Sequence, residues 1–306
     1  MTQDPRRQSP NVPDYRQAPP PRINHDKCTL CGLCTLSCHV MEERNKRIVV
    51  VRPDLCLRCG HCGSLCPSDA IVGPAMEEKR VTDRARAAAP SASSLQFLLR
   101  SRRSVRQYQK KPISQNDMDR ILEAGRYTPT GLNVQNIRYL VLTDLHKIDR
   151  LRKMTMPAIL KLFGMAVRIS KIPVLGDRML GENSAENFQK HYAPAVRAID
   201  ECLRKGEKDM LFHSAPAIML VHGEKQDDTA FSCSAALFSC MLMADTMGIG
   251  CCLNGFLVLV ANHDRETKTW LGIPQRHKVH AAMTMGYKRL KYNRLVKRNP
   301  VKVRYL

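Results

Sequence analysis

The chain has 306 residues, a length that allows about two domains. Apolar residues make up 43% and charged residues 25% of it, which excludes a wholly disordered or collagen-like protein. Two numbers depart from the average, namely 13 cysteines and a formal net charge of +21. No apolar run reaches the roughly 18 residues of a membrane helix, so we expect a soluble protein with no membrane partner.

The first 22 residues are rich in proline and poor in apolar side chains, so residues 1–22 are predicted to form a flexible arm. Arg6 and Arg7 are followed by polar residues and proline rather than by an apolar segment, which indicates no export signal. We therefore expect a cytoplasmic protein. In that reducing compartment, clustered thiols hold metal more often than they form disulfides.

Eight cysteines lie within residues 23–76, in a Cys-x2-Cys-Gly-x-Cys-x3-Cys pattern that occurs twice, starting at Cys28 and at Cys56. Such runs hold [4Fe–4S] clusters in bacterial ferredoxins, where three thiolates bind one cluster and the fourth binds its neighbour. Zinc ribbons and disulfides are the alternatives, but zinc sites generally use two separated Cys-x2-Cys pairs. The spacing predicts two crossed ligand sets, Cys28, Cys31, Cys34 and Cys66 for one cluster and Cys56, Cys59, Cys62 and Cys38 for the other.

This segment resembles the two-cluster bacterial ferredoxins across residues 23–75. It departs from them at His39, which follows Cys38 where the family usually has proline, as Pro67 follows Cys66. Gly32 and Gly60 are expected to let the backbone wrap closely, so that its N–H groups bond cluster sulfurs and tune the potential.

Residues 77–94 become rich in alanine, serine and proline, as is typical of an interdomain linker, and a second domain is expected over residues 95–306. Its predicted helices are 95–101 with Ser93 as the N-cap, a helix capped by Ser114, and a buried helix over 231–247. Strands are predicted at 139–143, 217–222 and 280–285, and residues 145–212 read as a variable helical region. A few strands among long helices predict an α+β fold.

The positive charge is concentrated at residues 100–111 and 276–306, which contain no acidic residue. Nucleic-acid binding would favour aromatic residues among the basic ones, but aromatics are only 5% and no reading motif occurs, so no nucleic-acid partner is expected. Arg102, Arg103, Ser104 and Arg106 follow a predicted helix and form a compact anion clamp suited to phosphate.

The segment Arg102 to Tyr108 also resembles the opening signature of the flavin-dependent nitroreductase superfamily. Three further segments match that family in order, and they are 128–135, 213–222 and 247–256, the last resembling the loop that passes over the flavin ring. Gly286, Tyr287 and Arg294 resemble its closing strand and phosphate-side arginine. The resemblance covers residues 95–306.

The resemblance implies a central mixed or antiparallel sheet flanked by helices, in a homodimer that binds FMN at its interface. It implies that the phosphate and ribityl end of FMN is held by Arg102, Arg103, Ser104, Arg106 and Arg294 of one chain. It implies that a second loop approaches the flavin from the partner chain with Pro129, Thr130, Gly131 and Asn133. It also implies that the flavin ring is contacted near N5 by Leu253, Asn254 and Gly255. Asn254 stands where many members have glutamate. No side chain is assigned as catalytic, because the chemistry belongs to flavin N5, with Asn254 and Gly255 nearby.

The expected function is an FMN-dependent oxidoreductase in which two [4Fe–4S] clusters relay electrons to FMN, which reduces a nitroaromatic, quinone, enone or flavin. Reduced ferredoxin or NAD(P)H is the expected donor. The alternative is a non-catalytic electron-transfer module that docks to a larger redox complex. Cys251 and Cys252, in the segment matched to the flavin loop, are open to either a redox or a packing role.

Overall fold

The computed structural model describes residues 17–73, 76, 80–170, 190 and 193–306. Parts of the expected arm, linker and variable helical region therefore lie outside the described residues, at positions 1–16, 77–79, 171–189 and 191–192. The chain divides into two units, Met1–Ala89 with Gly131–Val134, and Pro90–Thr130 with Gln135–Leu306. The boundary at Ala89 falls within the stretch expected as a linker.

Two short antiparallel pairings form the sheet structure of the first unit. Strand β1 (Arg22–Ile23) pairs with β4 (Ile71–Val72), and β2 (Met41–Arg44) pairs with β3 (Arg47–Val50). Asn45 and Lys46 connect β2 to β3 with φ values of 49° and 58°. Two left-handed residues match the right-handed twist of the flanking strands, so this connection makes a tight hairpin.

The sequence duplication extends to the backbone. Helix α1 (Leu33–Ser37) follows Gly32 with φ of 74°, and helix α2 (His61–Ser64) follows Gly60 with φ of 79°. Glycine adopts this left-handed conformation without a steric penalty, which explains its place in both repeats. A further helix, α3 (Asp83–Ala87), buries no residue.

A four-stranded antiparallel sheet in the order β5-β6-β8-β7 lies at the centre of the second unit. Its strands are β5 (Arg138–Leu142), β6 (Ala217–Glu224), β7 (Ile249–Leu253) and β8 (His277–Tyr287). Strands β6 and β8 cover the predicted runs 217–222 and 280–285, and β5 overlaps the predicted run 139–143 up to Leu142. The expectation of a loop at 249–253 is wrong, because this segment pairs in register with β8 from Ile249 opposite Tyr287 to Leu253 opposite Met283.

Helices cover both faces of this sheet, which confirms the α+β class. They are α4 (Ala92–Ser101), α5 (Gln115–Arg126), α6 (Leu145–Ser170), α7 (Ala193–Arg204), α8 (Asp227–Thr246), α9 (Gly255–His263) and α10 (Arg265–Trp270). Met219 on β6 packs in one buried cluster with side chains of α5 and α8, whereas Leu220 packs in the other with those of α6, α7 and α9. Strand β6 is therefore buried on both faces.

Serine side chains cap the N-termini of α5 and α4, and one of the two predicted caps is wrong. Ser114 caps α5 as predicted, because its Oγ accepts from the Asp117 N–H at 3.1 Å. The cap of α4 is Ser91 rather than Ser93, since Ser91 Oγ accepts from the Ser94 N–H at 3.1 Å and the helix begins at Ala92.

Helix α8 starts at Asp227, four positions before the predicted helix, and is not buried all round. Its Cys233 and Cys240 are fully buried, but Phe231 is 73% exposed. Among the described helices, α8 alone is long and apolar enough to cross a membrane by length and composition. Its packing against α5 and the sheet is that of a core helix.

Candidate functional site

The eight cysteines of the two repeats surround two separate cavities of the first unit. The residues Cys28, Cys31, Cys34 and Cys66 line a narrow cavity of about 20 Å³. The residues Cys38, Cys56, Cys59 and Cys62 line a larger one of about 190 Å³. Each cavity thus receives three thiols from one repeat and one from the other, the crossed grouping that the spacing predicts.

The donor set of each cavity is chemically uniform. Thiolates are soft ligands that suit iron–sulfur clusters and zinc. Among the described residues, no group of three Cys, His, Asp or Glu side chains is placed to hold a single metal ion. Because four thiols surround each cavity, the residues present fit a polynuclear cluster.

Burial and hydrogen bonding shift the pKa values of the cysteine thiols in different directions. Burial raises the pKa of Cys62 to about 11 and also raises the pKa of Cys34. Burial acts in the same direction on Cys66, but hydrogen bonds from Ser68 and from the Ala70 N–H, which lies 3.2 Å from Cys66 Sγ, lower its pKa. Metal binding to Cys62 and Cys34 must therefore displace protons.

The loop between Cys56 and Cys59 is held by several polar contacts. Arg58 Nε donates to the Ala18 carbonyl at 3.0 Å, and its Nη1 donates to the Cys56 carbonyl at 2.5 Å. His61 Nδ1 lies 3.5 Å from Cys59 Sγ. The sequence prediction did not include Arg58 or His61, although the position of His61, two residues after a predicted ligand, was an available signal.

The predicted anion clamp lies along β7 in the second unit. Arg102 is the C-cap of α4, and the next residues run beside the strand, with the Val105 N–H donating to the Cys251 carbonyl at 3.0 Å. Gly250 permits this approach, because a Cβ there would lie 2.4 Å from Val105. Arg103 donates to the Arg100 and Arg102 carbonyls at 2.7 and 2.8 Å, so it braces the clamp backbone.

Groups of the clamp shift the pKa values of Cys252 and His213. Burial raises the pKa of Cys252, and the Arg106 guanidinium and Ser104 hydroxyl oppose that rise. Burial and then Arg106 lower the pKa of His213, which has a left-handed backbone with φ of 58°. Cys251 is buried in the core beside them, so its position is that of a packing residue.

Asn254 is buried and organises the chain after β7. Its Nδ2 donates to the Leu211 carbonyl at 2.7 Å, and its Oδ1 accepts from the Leu257 N–H at 2.9 Å as the N-cap of α9. Leu253, Asn254 and Gly255 line an open cleft of about 430 Å³ whose other walls include Phe238, Met241 and His280. The structure thus brings the three predicted ring contacts to one cleft.

The predicted partner-chain loop is divided between the units. Pro129 and Thr130 lie in the second unit, whereas Gly131 and Asn133 lie in the first. Thr130 Oγ1 accepts from the Gln135 N–H at 3.0 Å. Asn133 Nδ2 donates to the carbonyls of Leu57 and Arg58, so its side chain contacts the loop of the larger thiol cavity.

Arg294 lies in the exposed C-terminal segment that follows β8. Its carbonyl accepts from Arg103 Nη2 at 3.3 Å, which places the Arg294 backbone beside the clamp. Closer to the sheet, the Arg289 N–H donates to the Gln107 carbonyl at 3.2 Å. The C-terminal segment that follows β8 therefore runs beside the residues that form the clamp.

Comparison with known families gives two matches along the chain. The nitroreductase family matches residues 99–287, and the 4Fe–4S binding domain matches residues 49–72. The comparison with curated proteins found no match.

Several solved structures are similar to part of this chain. A nitroreductase with bound FMN from Bacteroides fragilis is 25% identical, with 68% of this chain and 94% of that chain covered and a TM-score of 0.47. A nitroreductase with bound FMN from Desulfitobacterium hafniense is 17% identical, covering 70% and 100% with a TM-score of 0.45. A BluB-like flavoprotein from Clostridium difficile is 16% identical, covering 67% and 94% with a TM-score of 0.43.

The 4Fe–4S binding domain and the family match of the second unit together define an iron–sulfur oxidoreductase. The matched segment spans residues 99–287 of 306, more than half of the sequence. The chain belongs to the nitroreductase family.

Proposed function

We propose that the protein is a cytoplasmic, FMN-dependent oxidoreductase in which two [4Fe–4S] clusters relay electrons to FMN for the reduction of a small organic acceptor. The observation that carries this proposal is the pairing of eight thiols around two cavities with an arginine clamp in one nitroreductase-family chain. The acceptor class is a nitroaromatic, quinone, enone or second flavin. Reduced ferredoxin or NAD(P)H is the proposed donor.

The residues of the second unit fit a flavin phosphate. Arg102, Ser104 and Arg106 present two guanidinium groups and a hydroxyl at the end of α4, and guanidinium groups bind phosphate through paired hydrogen bonds. In this proposal Arg294 adds a further positive charge beside these three residues. Bound FMN would supply two-electron chemistry at N5, while this chain supplies position and electrostatics.

The cleft beside β7 is the proposed seat of the flavin ring. Leu253 is 60% exposed at its edge, and Gly255 leaves its floor open because a Cβ there would meet nothing. Asn254 uses its amide groups for the Leu211 and Leu257 backbones, so its role in this proposal is to fix the loop shape beneath the ring. A rigid floor of this kind holds the ring in one orientation.

We further propose that the protein is a homodimer whose contact includes the apolar face of Phe231, Phe238 and Leu253. These side chains are 73%, 43% and 60% exposed, and an exposed apolar patch of this kind marks an interaction surface. A second copy is the proposed occupant, because Phe238 and Leu253 line the cleft that the family resemblance places at a subunit interface.

Anaerobic purification followed by optical titration tests the proposal. We expect iron and sulfide for two clusters and one FMN per chain, reduced by ferredoxin or NAD(P)H and reoxidised by a nitroaromatic or quinone at a catalytic rate. Zinc without iron would contradict the cluster assignment. Cofactors that are reduced but transfer electrons to no small acceptor would favour the electron-transfer module instead.

A further inference from the structure

Another cavity of the second unit lies apart from the proposed flavin cleft. It has a volume of about 530 Å³ and is lined only by residues of helices α6 and α10. A cavity of this volume is within the usual range for sites that bind small organic molecules. It shares no lining residue with the cleft beside β7 or with the arginine clamp. Its lining residues are Arg150, Met154, Arg265, Glu266, Thr269 and Trp270.

The helical repeat brings these side chains to one side of each helix. Arg150 and Met154 are four positions apart on α6, as are Glu266 and Trp270 on α10. Residues at this spacing are neighbours on a helix surface. Trp270 also packs against the buried cluster that contains Leu151, so the aromatic wall of the cavity is fixed to the core.

Helix α10 is held in place on its buried side. Lys268 is buried, and its Nζ donates to the Gln275 carbonyl at 3.2 Å and to the His277 carbonyl at 2.5 Å. Asp264 Oδ2 accepts from the Thr267 N–H at 2.8 Å and from the Thr267 hydroxyl at 2.6 Å. The helix therefore presents its side of the cavity from a rigid support, which favours a defined binding geometry.

The two arginines of the cavity keep their positive charge unneutralised. Arg150 and Arg265 are exposed, and neither forms an ion pair with another residue that the structure describes. Their neighbours on α6 differ, because Arg152 and Lys153 both pair with Asp149. Two free guanidinium groups that face one cavity favour an anionic ligand.

The aromatic wall orients one of these guanidinium groups. Arg150 Cζ lies 5.5 Å from the centroid of the Trp270 ring. A guanidinium that is stacked on an aromatic ring keeps the N–H groups at its edge available for a carboxylate. Met154 lines the same cavity, and a thioether contacts aromatic rings favourably. The site thus combines groups for an anion with groups for a ring.

We propose that this cavity binds a small organic monoanion that carries one carboxylate on an aromatic ring. Arg150 and Arg265 bind the carboxylate, and Met154 and Trp270 contact the ring. Glu266 offsets one of the two positive charges, so the lining keeps one net positive charge and disfavours a dianion. The inference does not depend on the proposed function, because the site uses no flavin or cluster residue.

The fluorescence of Trp270 tests the site directly, because Trp270 is the only tryptophan of the chain. Benzoate is the probe, titrated into the full, cofactor-loaded protein with excitation selective for tryptophan. A saturable change with a dissociation constant on the order of 1 mM is expected. Acetate lacks the ring, benzyl alcohol lacks the charge and inorganic phosphate is a dianion, so each is expected to bind at least about tenfold more weakly.

Substitutions of the charged residues test the assignment of the carboxylate contacts. Arg150→Gln and Arg265→Gln are each expected to weaken benzoate binding about tenfold, because each removes a charge-assisted hydrogen bond. Arg152→Gln is the matched control on α6 and should leave the affinity unchanged, since Arg152 pairs with Asp149 and does not line the cavity. Glu266→Gln is expected to strengthen phosphate binding about threefold.

Isothermal titration calorimetry measures the same affinities without relying on tryptophan emission. Benzoate that binds by calorimetry but leaves the fluorescence of Trp270 unchanged lies elsewhere, and that result overturns the proposal. Equal weakening by Arg150→Gln and Arg152→Gln would indicate general attraction to a basic surface and would also overturn it. A protein that binds benzoate beside Trp270 but contains no flavin would overturn the proposed function and leave this inference intact.

Discussion

The two units differ in what holds them together. Among the described residues of the first unit, the buried apolar cluster contains five, and two of them, Cys34 and Cys62, are predicted cluster ligands. The second unit has two larger buried clusters, one on each face of a four-stranded sheet. We therefore expect the first unit to depend on bound metal for its fold, whereas the second unit is held by packing.

Removal of the clusters is the strongest way to break this comparison. Anaerobic chelation of iron is expected to abolish hydrogen-exchange protection in β2 and β3, because the metal–thiolate bonds replace a missing core. Protection in β6 is the internal control and is expected to persist. Protection of β2 and β3 that survives complete loss of iron would show that the small apolar core is sufficient.

A core truncation in the second unit has the next largest expected effect. Leu220 is fully buried on β6, so Leu220→Ala is expected to lower the free energy of unfolding by about 2–5 kcal/mol through lost burial and a residual cavity. Urea denaturation measures this loss. Leu36→Ala in the first unit is the control, since Leu36 is 86% exposed and its truncation should cost less than about 0.5 kcal/mol.

Acid is expected to destabilise the second unit through a buried histidine pair. His222 Nδ1 lies 3.0 Å from His277 Nδ1, and burial, then His277 and Arg138, lower the pKa of His222 to about 4. The unfolded chain therefore binds a proton at pH values where the folded chain does not, and stability falls as the pH decreases from about 6.5 to 4. The loss is on the order of 3 kcal/mol.

Urea midpoints at pH 7, 5 and 4 measure this effect. Glu224 is the acidic group that opposes the lowering of the His277 pKa, Lys268, Arg138 and Arg276 are positive groups that act on the pair, and His280 is a further titratable group that acts on His222. His222→Gln is the matched variant and is expected to flatten the profile over this range. An identical slope in the wild type and in His222→Gln would assign the acid sensitivity to other groups.

The features that the sequence predicted are those whose cause is local. The cysteine spacing predicted the two thiol groups because three ligands lie on one turn, and Ser114 predicted a cap because its partner is three residues away. Strand β7 was not predicted, because Gly248 and Gly250 read as turn residues and the strand exists only by pairing with β8. The contact between Asn133 and Leu57 spans 76 residues, and no local pattern indicates it.

Arginine substitution should separate the cofactors of the two units. Arg106→Ala removes a guanidinium from the clamp and is expected to weaken FMN binding about 10- to 100-fold, the value of one charged hydrogen bond, while iron content stays unchanged. Flavin fluorescence during dialysis and iron analysis measure the two quantities. Lys110→Ala, an exposed basic residue four positions further on, is the control, and full flavin retention in Arg106→Ala would place the phosphate elsewhere.

Removal of a helix N-cap is expected to have the smallest effect on stability, and it allows the same kind of hydrogen bond to be compared in the two units. Ser114 caps α5, whose Met118 and Ile121 are buried in the core, so Ser114→Ala is expected to lower the free energy of unfolding of the second unit by about 1 kcal/mol. Thr82 caps α3 through the Ala85 N–H, but α3 buries no residue, so Thr82→Ala should fray that helix and leave global stability unchanged. Urea midpoints and hydrogen exchange distinguish the two effects. A shift of equal size in Thr82→Ala would mean that α3 contributes to a cooperative fold, and the first unit would then depend less on its clusters than its core implies.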